Sequence, residues 1–397
     1  MTFTSKTLRK AIVNRVLAGQ PTPPLCPHAR ECGGCAFQDR AYADQVAAKA
    51  AVLRELYESG GISVDGFEVV PSPDPFAYRT RMDYVATKGR FGLRARGKFN
   101  YIIELTTCHL IPPMAFAAAQ AVWRRASELG VPDYDIRAHT GFLRYVVVRR
   151  SPNDELLIAA VTAGGGDEAT MAALAETALA QPGVVGFHWL VNDTLTDLSF
   201  GEPYWHWGAA DLTMRIGEMV CFVGPNTFFQ NNVYLADRLI SDAVSAAAVE
   251  PTMRTADLYG GVGAIGLHLA RRVASVDGVE AVADSVARAQ RNAIANGVAN
   301  FNPICADTLE YLRAQPAGSL PVIVADPPRT GLGPQVCHEL LRIGPQRIVY
   351  VSCNPLTQLV DLQLLQTAYR VTSLRGYDMF PHTPHVETIA VLERCAE

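Results

Sequence analysis

Cys353 stands in the run Ser352-Cys353-Asn354-Pro355, directly after an apolar stretch, Ile348 to Val351, that reads as a strand. A thiolate held at a strand end can add to an electron-poor carbon and later be expelled, which makes it a nucleophilic catalyst. Such a cycle also needs a group that removes a proton. Glu387, in His385-Val386-Glu387-Thr388 at the start of the last apolar strand, is the candidate base. A second acid, Asp326 in Asp326-Pro327-Pro328-Arg329, closes the apolar stretch Val322 to Ala325. Its two prolines lack backbone donors and stiffen the turn, so the carboxylate is held at the strand end. A strand-end cysteine alone more often only packs; it gains meaning from the acids at neighbouring strand ends.

The run Asp257 to Gly266 follows another strand and opens a helix. Gly261, Gly263 and Gly266 let the backbone turn sharply and approach a ligand closely. Glu280 ends the next strand, about the 20-residue interval at which an acid grips a ribose. This pattern suits a nicotinamide dinucleotide as well as S-adenosylmethionine. The Asp326-Pro327-Pro328-Arg329 turn favours methyl transfer, since a nicotinamide enzyme has no evident use for it.

Four of the nine cysteines form a further set: Cys26, Cys32 and Cys35 in close spacing, with Cys108 far downstream. Four thiolates of this kind hold either zinc or an iron-sulfur cluster, and spacing leaves both open. Cys221, Cys305, Cys337 and Cys395 read as ordinary thiols. Between Arg79 and Lys98 lie seven cations (Arg79, Arg81, Lys88, Arg90, Arg94, Arg96 and Lys98) against Asp83 alone. Tyr78, Tyr84, Phe91, Phe99 and Tyr101 are interleaved. Cations for phosphates and rings for unstacked bases suit single-stranded RNA. The chain's net charge of -4 means that any such affinity must be local.

These groups need a scaffold to bring them together. With 397 residues, 49% of them hydrophobic, the chain is expected to form two globular domains, residues 1–218 and 219–397. The first is expected to be α+β. It opens with a weak helix and a Pro-rich spacer, followed by a helix from Asp39 to Ser59 that stops at Gly60-Gly61 and is expected to lie against the second domain. Antiparallel strands then include Tyr145 to Arg149, Leu156 to Val161 and a pair flanking Asn192-Asp193. The second is α/β, a doubly wound, Rossmann-like sheet with strands at Thr255 to Leu258, Val273 to Val279, Val322 to Ala325 and Ile348 to Val351. Tyr369 to Leu374 and Thr388 to Leu392 would close it as an antiparallel pair. The start of the chain is polar and basic, and no apolar run approaches the roughly 20 residues of a membrane span, so a cytoplasmic monomer is expected.

Five motifs occur here in one order: Phe228-Phe229-Gln230, the Asp257 to Gly266 loop, Asp326-Pro327-Pro328-Arg329, Ser352-Cys353-Asn354-Pro355 and His385-Val386-Glu387-Thr388. In this the chain resembles the RNA uracil-5 methyltransferases, which comprise TrmA tRNA enzymes and RlmC and RlmD 23S ribosomal RNA enzymes. The resemblance spans about residues 26 to 394. It implies that Cys353 adds to carbon 6 of a uridine, that Gln230, Tyr259, Glu280 and Asp326 contact S-adenosylmethionine, and that Glu387 removes the carbon 5 proton. The cysteine set resembles that of the 23S branch, which implies a 4Fe-4S cluster on Cys26, Cys32, Cys35 and Cys108 and ribosomal RNA as partner. The expected form is a short one without the small β-barrel (TRAM) domain that opens many relatives; methylation of the tRNA T-loop and a non-catalytic iron-sulfur RNA-binding protein are the alternatives. Tyr259-Gly260-Gly261 departs from the family's usual Phe/Tyr-Cys-Gly, a change outside the nucleophile.

Overall fold

The computed structural model describes residues 3–63 and 65–395, and of residue 99 the backbone alone. The chain opens with α1 (Ser5–Leu17), in which Thr4 and Thr7 form a reciprocal cap and Leu8, Ile12 and Val16 make one buried stripe. Helix α2 (Tyr42–Ser59) ends at Gly60, where the chain turns into the short strand β1 (Val69–Val70). Its start falls three residues later than Asp39, because the Asp39 carbonyl accepts from Thr22 and Arg40 bridges to Pro21.

The middle of the chain builds β2 (Arg81–Thr87), β3 (Arg90–Ala95), β4 (Lys98–Glu104), α3 (Pro113–Glu128), β5 (Leu143–Arg150), β6 (Leu156–Thr162), α4 (Glu168–Leu179), β7 (Val184–Val191) and β8 (Glu202–Gly208). They form one sheet in the order β4-β3-β2-β5-β6-β7-β8. All pairs are antiparallel except β6 with β7. That parallel pair departs from the all-antiparallel expectation. The segment between its strands is long enough for a crossover, and Asp167 caps the helix that makes it. Next come a hairpin, β9 (Leu212–Ile216) with β10 (Met219–Val223), and α5 (Ala236–Ala246).

The remainder alternates strictly: β11 (Arg254–Leu258), α6 (Ala264–Ala270), β12 (Ser275–Glu280), α7 (Ala283–Ala295), β13 (Phe301–Cys305), α8 (Thr308–Arg313), β14 (Val322–Ala325), α9 (Gly333–Ile343), β15 (Arg347–Ser352), α10 (Pro355–Leu365), β16 (Tyr369–Tyr377) and β17 (Glu387–Arg394). The sheet order is β1-β16-β17-β15-β14-β11-β12-β13. Strands β11 to β15 are parallel, β17 runs antiparallel to both β15 and β16, and β1 adds a parallel edge. Chain order reverses between β11 and β14, the switch point at which such sheets bind ligands. One apolar cluster joins Leu8, Ile12, Val52 and Leu53 of α1 and α2 to Leu340 and Leu362 of α9 and α10. A second cluster joins the β9–β10 hairpin to α5 and α6. Among the described residues no helix is long and apolar enough to cross a membrane.

Candidate active site

Strands β14, β15 and β17 are neighbours, and adjacent strands lie about 4.8 Å apart. Asp326 is one residue past the end of β14 and Cys353 one past the end of β15. Glu387 opens β17, where Thr388 pairs with Ser352. The fold thus gathers the two carboxylates and the thiol on one sheet edge, although they lie far apart in sequence.

Local chemistry fixes each turn. Asn354 caps α10 by accepting from the Leu356 amide, while its Nδ2 donates to the Arg329 carbonyl at 2.8 Å, tying the cysteine turn to the Pro-Pro turn. Pro355 begins that helix, where a missing N–H is harmless. The Asp361 carboxylate receives the amides of Leu332 and Gly333 and the Tyr350 hydroxyl, which pins the turn from its far side. Thr388 donates to the Ser352 carbonyl at 3.2 Å and to Gln358 at 2.8 Å, holding the start of β17 against β15.

Burial decides the electrostatics. It pushes Glu387 up to about 8, with the neighbouring Asp326 adding and Arg329 opposing. Burial likewise pushes Asp326 up to about 7. The Cys353 thiol is pushed up to about 12, first by burial and then by Glu387, against Arg329. Two carboxyls poised near neutrality beside a thiol suit a mechanism in which protons are exchanged at this edge.

Beside them is an open cavity of about 600 Å³. Phe229, Gln230, Asp257, Tyr259, Gly261 and Asp326 are among its walls. Gln230 donates from Nε2 to Asp326 Oδ2 at 3.2 Å. The loop carrying Gln230 is fastened to the middle sheet: buried Arg149 donates to the Gly224 and Thr227 carbonyls, and Thr80 donates to the Gln230 carbonyl at 3.0 Å. Tyr259 is held at φ 61, a left-handed conformation that is costly for a tyrosine, and Gly263 turns the chain into α6 at φ 86. Glu280 is not itself in this lining; it accepts from the Gly261 amide at 3.1 Å and the Val282 amide at 2.8 Å, and so shapes the loop. Asp257 accepts the Gly266 amide on Oδ2, yet its buried Oδ1 has no partner among the described residues. Burial pushes this carboxyl up to about 7. An orphaned acceptor on a cavity wall fits a ligand that brings donors. The sequence signal for Asp257 is an acid inside an otherwise apolar strand that runs into the glycine loop.

Cys26, Cys32, Cys35 and Cys108 are buried and line one small cavity. Burial raises all four thiols, and each is raised further by at least one of the other three or opposed by Arg79 or Arg96. Among the described residues no set of three or more His, Cys, Asp or Glu side chains is arranged as a ready metal site. The donor set, and the Nε of Arg79 beside it, which has no partner among the described residues, fit an anionic thiolate centre. Of the other cysteines, Cys221 and Cys337 are buried and Cys305 and Cys395 exposed.

The basic run is less available than its composition implies. Tyr78, Tyr84 and Phe91 are fully buried and cannot stack on bases; Tyr84 lies on the same face of β2 as Met82 and Ala86, an alternation that foretells it. The side chain of Phe99 lies outside the described residues. Arg81 pairs with Asp83, Lys88 with Asp135 and Arg94 with Asp197. Tyr101 remains exposed, with Arg90 over its ring.

A sheet of this order, with a glycine loop at the switch point and acids along the same edge, defines the Rossmann-like methyltransferase fold. Residues 318–395 match the family model described as tRNA (Uracil-5-)-methyltransferase. Over 385 residues the chain is 34% identical to an uncharacterized RNA methyltransferase of Nitratidesulfovibrio vulgaris, covering 93% of this chain and 82% of that protein. It is 32% identical to the tRNA (uracil(54)-C(5))-methyltransferase of Pyrococcus horikoshii, covering 92% and 85%. The crystal structure of the Pyrococcus abyssi tRNA (uracil-54, C5)-methyltransferase in complex with S-adenosyl-L-homocysteine superposes with a TM-score of 0.77, at 32% identity, over 91% of this chain and 86% of that one. The chain belongs to the RNA uracil-5 methyltransferase family.

Proposed function

We propose that the protein methylates carbon 5 of a uridine in RNA, with Cys353 as nucleophile and Glu387 as base. The observation that carries this reading is the convergence of Cys353, Asp326 and buried Glu387 on one sheet edge beside the cavity. S-adenosylmethionine, when bound there, supplies a methyl on a sulfonium. Gln230, Tyr259, Glu280 and Asp326 would hold it, with Glu280 also accepting the Gly261 amide of the loop beneath. Cys353 adds as thiolate to carbon 6, and the electron pair displaced to carbon 5 would take the methyl as its bond to the sulfonium sulfur breaks, leaving S-adenosylhomocysteine. Glu387 then removes the carbon 5 proton, the ring double bond re-forms, and the thiolate leaves. We read the first 218 residues as the RNA-binding part, with α1 and α2 serving the catalytic sheet they pack on, and the rest as the catalytic part.

The four buried cysteines are proposed to hold a 4Fe-4S cluster that braces the RNA-facing side; methyl transfer moves no electrons. The cysteine set favours 23S ribosomal RNA as substrate. The names of the Pyrococcus relatives favour uridine 54 of tRNA, the second reading. Incubation with 23S and tRNA transcripts and labelled methyl donor, followed by nucleoside analysis, tests both. 5-Methyluridine in one RNA assigns the substrate, and none in either rejects the reaction.

A further inference from the structure

Cys353 opens onto a second, broad cleft of about 1160 Å³, and no motif accounts for one of its walls. Ser5, Lys6, Leu8, Arg9 and Ile12 of α1 share its lining with Arg329, Cys353 and His385. Among the described residues the lining carries three cations and no carboxylate. Burial, with Arg329 and Arg9 nearby, lowers His385 to about 4 and leaves it neutral at pH 7.

Helix α1 is built to hold its charges out. Leu8, Ile12 and Val16 seat it in the core shared with the catalytic sheet. Lys6 and Arg9, three residues apart, lie on one face and are exposed. Neither makes a hydrogen bond or ion pair among the described residues, whereas Arg81, Arg94, Arg150 and Arg288 all do. The Thr7 amide at the helix start is already taken by Thr4, which leaves that donor out of reach of a ligand. Arg9, Pro384 and His385 also line a second groove, which continues past Gly33 to Arg96 and Lys98. Arg9 therefore stands where the cleft at the nucleophile meets a groove running beside the cysteine loop.

We propose that α1 is an RNA-binding element whose Lys6 and Arg9 grip the phosphates flanking the uridine that enters the Cys353 cleft. Arg9 hands the strand on to the groove lined by Arg96 and Lys98. The proposal rests on the uridine methyltransferase reading for the identity of the polyanion. Lys6 and Arg9 are positioning residues: held phosphates fix where the base must enter, and no proton or bond changes on either side chain.

The test compares the wild type, the double variant Lys6→Ala/Arg9→Ala and the charge-preserving Lys6→Arg/Arg9→Lys. The probes are a 12-nucleotide oligouridine for binding and uridine-containing RNA for turnover. Two lost phosphate contacts should weaken oligouridine binding roughly ten-fold and flatten the plot of log K against log salt by about 1.4. KM should rise with kcat little changed, S-adenosylhomocysteine affinity should stay at the wild-type value, and the charge-preserving variant should bind normally. Unchanged affinity and slope in the double variant overturns the proposal; so does weaker binding with an unchanged slope, which would mean lost packing. If the wild type binds oligouridine but methylates no RNA, the reaction reading fails while this binding comparison still decides the role of α1.

Discussion

The Lys49 ammonium and the Asp378 carboxylate meet at 2.6 Å with neither side chain exposed. Lys49 belongs to α2 and Asp378 opens the loop that leads to His385 and Glu387. Lys49 also donates to the Phe380 carbonyl, and Gln45 on the same helix accepts the His382 amide at 3.1 Å. The His382 carbonyl in turn receives the amides of Ala36 and Phe37, next to Cys35. An N-terminal helix, the cysteine loop and the loop before the base are thus one hydrogen-bonded assembly.

Removing one partner of a buried pair leaves the other charge uncompensated. Lys49→Met should lower stability by about 3–5 kcal/mol, whereas Lys49→Met with Asp378→Leu should recover much of that loss. Chemical denaturation of the three proteins measures it. A single variant within 1 kcal/mol of wild type, on the order of a surface pair, would show that the pair is not structurally required.

Arg149 offers a test of how the middle sheet serves the cavity. Its guanidinium is buried and donates to the carbonyls of the loop that carries Gln230. Arg149→Met keeps bulk but strands those carbonyls, at about 1–3 kcal/mol for each group left buried and unpaired. Calorimetry should show S-adenosylhomocysteine binding at least ten-fold weaker, with oligouridine binding nearly unchanged. Equal losses for both ligands would indicate global unfolding in place of a loop effect.

What could be read from sequence was local. Prolines, glycines and caps declare the turns at Asp326, Cys353 and Gly263, because those residue types set backbone geometry by themselves. Strands β11, β12, β14 and β15 were equally plain, since buried parallel strands are largely apolar runs, whereas β13, an edge strand in which only Phe301 is buried, gives no such run and was missed. The Lys49–Asp378 pair spans 329 residues, and nothing in either neighbourhood announces the other. The basic run misled for a physical reason: composition counts charges, but the fold pairs Arg81, Lys88 and Arg94 with acids that include the distant Asp135 and Asp197. The α1 wall escaped notice because two cations on a short helix carry no signal until the cleft brings Cys353 to them.

The cysteine set makes a compositional prediction. Protein purified without oxygen should be brown and contain iron and sulfide at about four of each per chain if the 4Fe-4S assignment holds. Cys35→Ser should bleach it and, through Ala36 and Phe37, loosen the loop before Glu387, raising its hydrogen exchange. One equivalent of zinc and no iron would replace the assignment.

The acids set the pH dependence. Burial raises Glu387 to about 8, with Asp326 adding, and burial alone raises Asp326 to about 7; two such carboxyls on one buried edge give apparent midpoints that belong to the pair. A protonated base cannot accept a proton, and a thiol pushed up to about 12 is scarcely ionised at pH 7. Turnover should therefore climb with pH, with an apparent midpoint between about 7 and 8 in the ascending limb. A flat profile from pH 6 to 9 would remove both groups from the rate-limiting steps.

Substitution of Glu387 should separate two steps that the wild type runs together. Thiolate addition precedes methyl transfer, so Cys353→Ala should abolish turnover and every covalent protein–RNA species. Glu387 acts afterwards, when the carbon 5 proton must leave before the cysteine can. Glu387→Gln should still add and methylate but release slowly, leaving methylated RNA bonded to protein on a denaturing gel. Wild type with 5-fluorouridine RNA should stall at the same point, because fluorine cannot leave as a proton. The same variant has a stability signature. The folded carboxyl titrates near 8 and an unfolded one near 4.3, so the folded state holds a proton that the unfolded state has lost across that window. Wild-type stability contributed by this group is complete at low pH and is lost as pH rises through about 8. Glutamine cannot ionise, so Glu387→Gln should melt close to wild type at pH 4.5 and progressively above it toward pH 8.5. Full turnover with no trapped adduct would remove Glu387 as the base, and Asp326, on the neighbouring strand end, would be the next carboxylate to substitute.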